Sequence, residues 1–144
     1  MLRILICCGG GLSSGYMARY MEDEVKAAHA EAEVFVDFQP FATAPRKMAD
    51  FDVIFCCPHL RTGILKFLKE YQVTIPLYVI PMRMYGLMHF NEIAQDARDV
   101  IQIYHETGAN PVVFPNETDY PKVQRFKSYR SLYGDYHQYL NLHA

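Results

Sequence analysis

Leu2-Arg3-Ile4-Leu5-Ile6-Cys7-Cys8-Gly9-Gly10-Gly11-Leu12-Ser13-Ser14 opens the chain with an apolar run, a glycine stop and two hydroxyl residues. A short, nearly continuous apolar stretch that ends at glycines suits a central parallel strand buried on both faces. Directly after it, Met17, Tyr20, Met21, Val25 and Ala28 recur at helical spacing, with Glu22, Asp23 and Lys26 on the other side. Ser13 or Ser14 is placed to cap that helix. Strand, glycine loop and helix in succession are the repeating unit of an open α/β sheet.

The same alternation continues outward from this unit. Val34-Phe35-Val36-Asp37-Phe38 reads as a second strand, and residues 42 to 49 as a short helix beginning near Thr43 and Pro45. Asp52 to Cys56 reads as a third strand, closed by Cys57-Pro58 because proline restricts the residue before it. Ile64, Leu65, Leu68 and Tyr71 mark a helix, Ile75 to Ile80 a fourth strand, and Ile93, Ala97, Val100, Ile101 and Tyr104 a last helix that Gly108 ends. Right-handed crossovers between such strands give a parallel sheet covered on both faces. The fold class is therefore α/β, a small doubly wound sheet of four parallel strands on a flavodoxin-like or phosphatase-like plan, with an extra C-terminal helical tail. Residues 1–108 form the domain and 109–144 the extension. In the extension, Pro111, Pro115 and Pro121 precede a basic, tyrosine-rich segment in which Tyr129, Tyr133, Tyr136 and Leu140 fall at helical spacing. That stripe has to be buried, on its own domain or in a homodimer formed through the tail.

Half of the 144 residues are hydrophobic, about a fifth are charged and the formal net charge is -2. This balance describes a globular chain and argues against a nucleic-acid partner, which usually meets a basic excess. The opening apolar run is too short for an export signal and no run approaches a membrane span. The expected location is cytoplasmic, with all four cysteines as thiols.

In doubly wound sheets ligands bind beyond the carboxyl ends of the strands where strand order reverses, here the loop from Cys8 to Ser14. Backbone N–H groups of Gly9, Gly10, Gly11, Leu12, Ser13 and Ser14 can converge there on one anion, and the glycines admit close approach. A thiol at the mouth of such a loop is favoured as its thiolate. The plain alternative is a tight strand-to-helix turn beside a buried cysteine. Two nucleotide loops are excluded: a dinucleotide fingerprint needs glycine where Ser14 stands, and a P-loop needs lysine where Tyr16 stands.

Residues 4–14 resemble the strand and phosphocysteine loop of the lactose/cellobiose-type enzyme IIB of sugar phosphotransferase systems, which shows Cys-Ser-Ala-Gly-Met-Ser-Thr-Ser. Cys57-Pro58-His59 resembles that family's Gly-Pro-Gln turn, and Met84-Tyr85-Gly86-Leu87-Met88 its Asp-Tyr-Gly-Met-Met turn. The resemblance extends over residues 1 to about 106. It implies that Cys8, the second of the paired cysteines, is the phosphorylated residue. It implies a relay in which a phosphohistidine of enzyme IIA donates to Cys8, and Cys8 donates to a sugar held by membrane enzyme IIC. The sugar class is cellobiose, lactose or another β-linked oligosaccharide, and neither cofactor nor metal is implied. Gly9 and Gly15 stand where the family has serine, and Met84 where it often has aspartate.

Three rivals are weighed. A low-molecular-weight tyrosine phosphatase would carry Cys-x5-Arg-Ser and an Asp-Pro acid, but Ser14 takes the arginine position and no Asp-Pro occurs. A non-catalytic anion-binding regulatory module on the same fold is the alternative from another class. Metal binding by Cys7, Cys8, Cys56 and Cys57 is opposed by strand alternation, which turns neighbours to opposite faces. Pro58, His59 and Tyr85 are placed to border the cleft, although His59 also reads as a solvated turn residue and Tyr85 as packing.

Overall fold

The computed structural model describes residues 1–9, 12–87 and 89–143, with 12–15 and 143 by their backbone alone. Four strands, β1 (Leu2–Cys8), β2 (Val34–Pro40), β3 (Val53–Cys56) and β4 (Leu77–Val79), pair in parallel in the order β2-β1-β3-β4. Among them run α1 (Leu12–Ala27), α2 (Ile64–Glu70), α3 (Met82–Leu87) and α4 (Phe90–Thr107), followed by α5 (Tyr129–Tyr133) and α6 (Tyr136–His143). Short 3-10 segments fill Phe41–Arg46, Met48–Asp50, Pro58–Gly63 and Tyr120–Lys122.

Side-chain alternation along β1 divides the interior. Leu2, Ile4 and Ile6 join Met17, Met21 and Val25 of α1 and Ile93, Ala97 and Val100 of α4 in the larger core. Leu5 and Cys7 join Ile54, Cys56, Ile64 and Phe67 on the α2 side. With one residue per face at each step, a single-residue slip would invert both layers. Gly108, at φ +69, takes the left-handed position that ends α4, as the sequence predicts.

Three readings are corrected. α1 starts at Leu12, so Ser13 and Ser14 lie inside its first turn instead of capping it. Of the turn expected at residues 84–88, residues 84–87 belong to the short helix α3, with Met84 2% exposed, and residue 88 lies outside the described residues. β4 is shorter than residues 75–80, because Pro76 has no N–H for the ladder and Pro81 stops continuation.

The tail docks on its own chain. Asn110 accepts from Leu77 N–H at 2.8 Å and donates to Ile75 O at 3.0 Å, and Val112 N–H donates to Leu77 O at 2.8 Å. Val112, Phe114, Tyr129 and Tyr136 enter the larger core, with the Phe114 and Tyr129 rings stacked 4.3 Å apart. The expected single stripe breaks at Gly134, at φ +75, which leaves Tyr133 and Leu140 exposed. This packing gives no support to a homodimer through the tail. The basic residues of this segment have different surroundings. Arg125 is drawn inside and Arg130 binds Asp99 at 2.7 Å.

Arg125 satisfies a buried polar cluster. It donates to Glu117 (2.7 and 3.1 Å), Asp96 Oδ2 (2.7 Å), Tyr78 Oη (2.7 Å) and Lys127 O (2.9 Å). Asp96 also accepts from Tyr129 N–H at 2.8 Å. Burial pushes the Asp96 carboxyl up to about 6, while the Arg125 cation and the Tyr129 N–H pull the other way.

Farther along, His137 has Glu106 at 2.9 Å from Nε2 and Asp135 at 2.8 Å from Nδ1. The Glu106 hydrogen bond, with both carboxylate charges, raises its pKa above the usual 6.5. A raised histidine stabilises the fold fully below 6.5, and that contribution is lost as pH rises through the folded value. An NMR titration of His137 should therefore show a midpoint above 6.5, and Glu106→Gln should return it toward 6.5. An unchanged midpoint in that variant would dismiss the Glu106 contact as its cause.

Candidate functional site

Because β2 and β3 flank β1 on opposite sides, strand order reverses between β1 and β3. At the carboxyl end of that gap stand Cys8, the last residue of β1, with Gly9 after it, and Cys57, Pro58 and His59, which follow β3. The Cys7–Cys56 pair is the last register position, and Cys57 N–H donates to Cys7 O at 3.0 Å, carrying the ladder one residue further. Parallel pairing thus brings the first loop and the Cys57-Pro58-His59 turn side by side, although about fifty residues separate them.

All four cysteines are buried thiols, but they are not equivalent. Cys7 and Cys56 belong to the α2-side core, and burial pushes Cys7 up to about 12, with Cys57 and Cys8 adding to the rise. Cys56 is pushed well above its usual value by the same burial, then by Cys7 and Cys57. Cys8 is in phase with Leu2, Ile4 and Ile6, on the side of the sheet that α1 covers, and is 2% exposed. Among the described residues no group of three or more ligand side chains is arranged to hold a metal ion.

Beyond Cys8, Gly9 is exposed, and its N–H points at His59 Nε2, 3.4 Å away. Gly10 and Gly11 lie outside the described residues. Leu12, Ser13 and Ser14 form the opening turn of α1, where backbone N–H groups have no helical acceptor and no acidic residue competes for them. Pro58 starts the Pro58–Gly63 segment, which places the exposed His59 against the loop. Tyr85 lies on α3, partly packed on the larger core and partly lining a groove of about 610 Å³ with Tyr16, Tyr20 and Leu87. The packing reading of Tyr85 is the one observed; Cys8, Gly9 and His59 are not among the described residues that line this groove.

Among the described residues, a Cβ built on Gly9 would meet only His59 Nε2, at 3.7 Å, which is ordinary contact. Gly9→Ser is therefore expected to fold with stability within about 0.5 kcal/mol of the parent. Urea unfolding checks this, and a loss beyond about 1 kcal/mol would refute it.

One neighbour of the rim escapes sequence reasoning. Tyr120 donates to Ile80 O at 2.5 Å, and Arg61 lies over its ring at 5.0 Å. Burial pushes the Tyr120 hydroxyl up to about 12, with Arg61 lowering and Cys57 raising it. Asp96 did leave a signal: a carboxylate between Ile93 and Val100 on the apolar side of α4 needs a cation.

The chain is thus a small α/β domain with a parallel sheet, and the Cys8 thiol stands on its rim beside the start of α1. The family described as PTS system, Lactose/Cellobiose specific IIB subunit matches residues 3–96, and this chain belongs to it. Similarity of fold extends to the lactose-specific IIB component domain of the phosphoenolpyruvate:carbohydrate phosphotransferase system from Streptococcus pneumoniae. The identity is 16% and the TM-score 0.50, over 73% of this chain and 95% of that one. A comparison with curated proteins finds no match. No helix among the described residues is long and apolar enough to cross a membrane.

Proposed function

We propose that Cys8 is the phosphoryl carrier of this IIB chain, receiving the group from a phosphohistidine of enzyme IIA. It then passes the group to a β-linked disaccharide or oligosaccharide held by membrane enzyme IIC, at the cytoplasmic side. The observation that carries this reading is the contrast among the cysteines. Cys7 and Cys56 face the α2-side core with disfavoured thiolates, whereas Cys8 ends β1 next to the exposed Gly9 N–H and the first turn of α1.

The Cys8 sulfur attacks phosphorus as the donor's N–P bond breaks. The bonding pair returns to the donor imidazole, and the thiol proton ends on that nitrogen. Backbone N–H groups of Gly9 and of Leu12 to Ser14 neutralise the phosphoryl oxygens. In the second step the S–P bond breaks toward a sugar hydroxyl, and the hydroxyl proton restores the thiol. Since Cys8 is 2% exposed, transfer requires the rim around it to open to the donor.

Incubation with IIA carrying a radiolabelled phosphoryl group, then peptide mapping, tests the reading. One acid-labile label on the peptide containing Cys8, discharged by IIC membranes and cellobiose or lactose, is expected. Label on another residue refutes the assignment to Cys8, and no label at all leaves the anion-binding module in its place.

A further inference from the structure

The Gly9 amide is the first main-chain donor after Cys8, and it faces the His59 ring at 3.4 Å from Nε2. An N–H can be received only by a nitrogen with a lone pair, so this contact requires neutral imidazole protonated at Nδ1. A phosphoryl group on the neighbouring sulfur changes the demand at that spot. Its three oxygens share close to two negative charges and compete for the Gly9 N–H. The same Nε2 lone pair, still aimed at the rim, would repel them.

We infer that His59 is a positioning residue that follows the phosphorylation state of Cys8. It accepts from the Gly9 N–H while Cys8 is a thiol, and donates from Nε2–H to the phosphoryl group once the S–P bond has formed. The inference rests on the reading of Cys8 as phosphoryl carrier. The covalent step is unchanged: the N–P bond breaks, the S–P bond forms and the thiol proton ends on the donor imidazole. His59 only moves its own proton from Nδ1 to Nε2, or gains one there, by exchange with water. Its exposure on the Pro58–Gly63 segment leaves the ring open to that exchange. One side chain thus holds the first loop amide in position before transfer and releases it to the phosphate afterwards. It replaces a repulsive lone pair by a charge-assisted or neutral donor.

Long-range proton–nitrogen NMR spectra of the intact protein read the two ring nitrogens directly. In the thiol form His59 should carry its proton on Nδ1, and His59→Ala should shift the Gly9 amide resonance. After phosphorylation by IIA, Nε2 should be protonated. Nε2 already protonated in the thiol form, or still bare in the phosphorylated form, overturns the inference. At equilibrium with phosphorylated IIA, His59→Ala should hold about tenfold less label on Cys8, as expected for one lost donor. His59→Gln, whose amide N–H donates, should restore most of it. Equal labelling of parent and His59→Ala, or no rescue by glutamine, also overturns it. Should Cys8 take no label in the parent protein, the relay reading falls and this inference with it. Should Cys8 take label while the His59 spectrum stays fixed, only this inference falls.

Discussion

Arg125→Met is expected to destabilise the fold by about 3–5 kcal/mol, because breaking a buried ion cluster leaves charges without compensation. The side chain is 2% exposed, and its partners Asp96 and Glu117 are 0% and 8% exposed, so water does not replace what is lost. Methionine keeps much of the packing on the Phe114 and Tyr129 rings and removes every donor. For a chain of this size the loss corresponds to roughly 10–20 °C in melting temperature. Adding Asp96→Asn and Glu117→Gln should recover part of it, since the penalty belongs to the orphaned carboxylates.

The pH dependence carries a sign. With Arg125 present, the folded Asp96 titrates at about 6 against 3.8 unfolded. This group's favourable contribution is full below 3.8 and is lost as pH rises through about 6. Removing the cation raises the folded value further. The part of the deficit due to Asp96 is therefore greatest above that raised value and shrinks as pH falls toward and below about 6. A deficit of under 1 kcal/mol, or one that grows on acidification, would contradict this account.

Cys8→Ser is expected to reduce labelling by phosphorylated IIA to background, a loss of at least about 10³-fold, in a chain that still unfolds cooperatively. The hydroxyl is a far weaker nucleophile than a thiolate, while its volume fits the same place. Cys7→Ser should show the opposite pattern. Its side chain is fully buried on the α2 side. An unsatisfied hydroxyl there costs about 1–3 kcal/mol, while labelling persists. The pair of variants separates nucleophile from core residue one position apart. Labelling that survives in Cys8→Ser and disappears in Cys7→Ser would reverse the assignment.

The strands and large helices were legible because apolar runs and helical periodicity report local burial, and that was enough to place Cys8 at the sheet's carboxyl end. The nearness of His59 to the first loop followed from expecting β3 beside β1; its contact with the Gly9 amide did not, since that depends on the path of a 3-10 segment. The tail stands out in the sequence as an extension because prolines interrupt every period between Asn110 and Pro121. Its partners are set by distant groups: Asn110 by β4, and Arg125 by Asp96 on α4. Ser13 and Ser14 were misplaced by a few positions, the usual uncertainty where a helix begins within a glycine loop.

The Asn110 and Val112 hydrogen bonds also bear on what the sheet does toward other molecules. An outermost parallel strand presents unpaired amides and carbonyls, a template on which a foreign strand can add. Here the Leu77 N–H and O and the Ile75 O are already taken by the chain's own tail. The Leu77 end of β4 is thus closed to strand addition, and shedding residues 109–144 would free those groups for pairing with another chain.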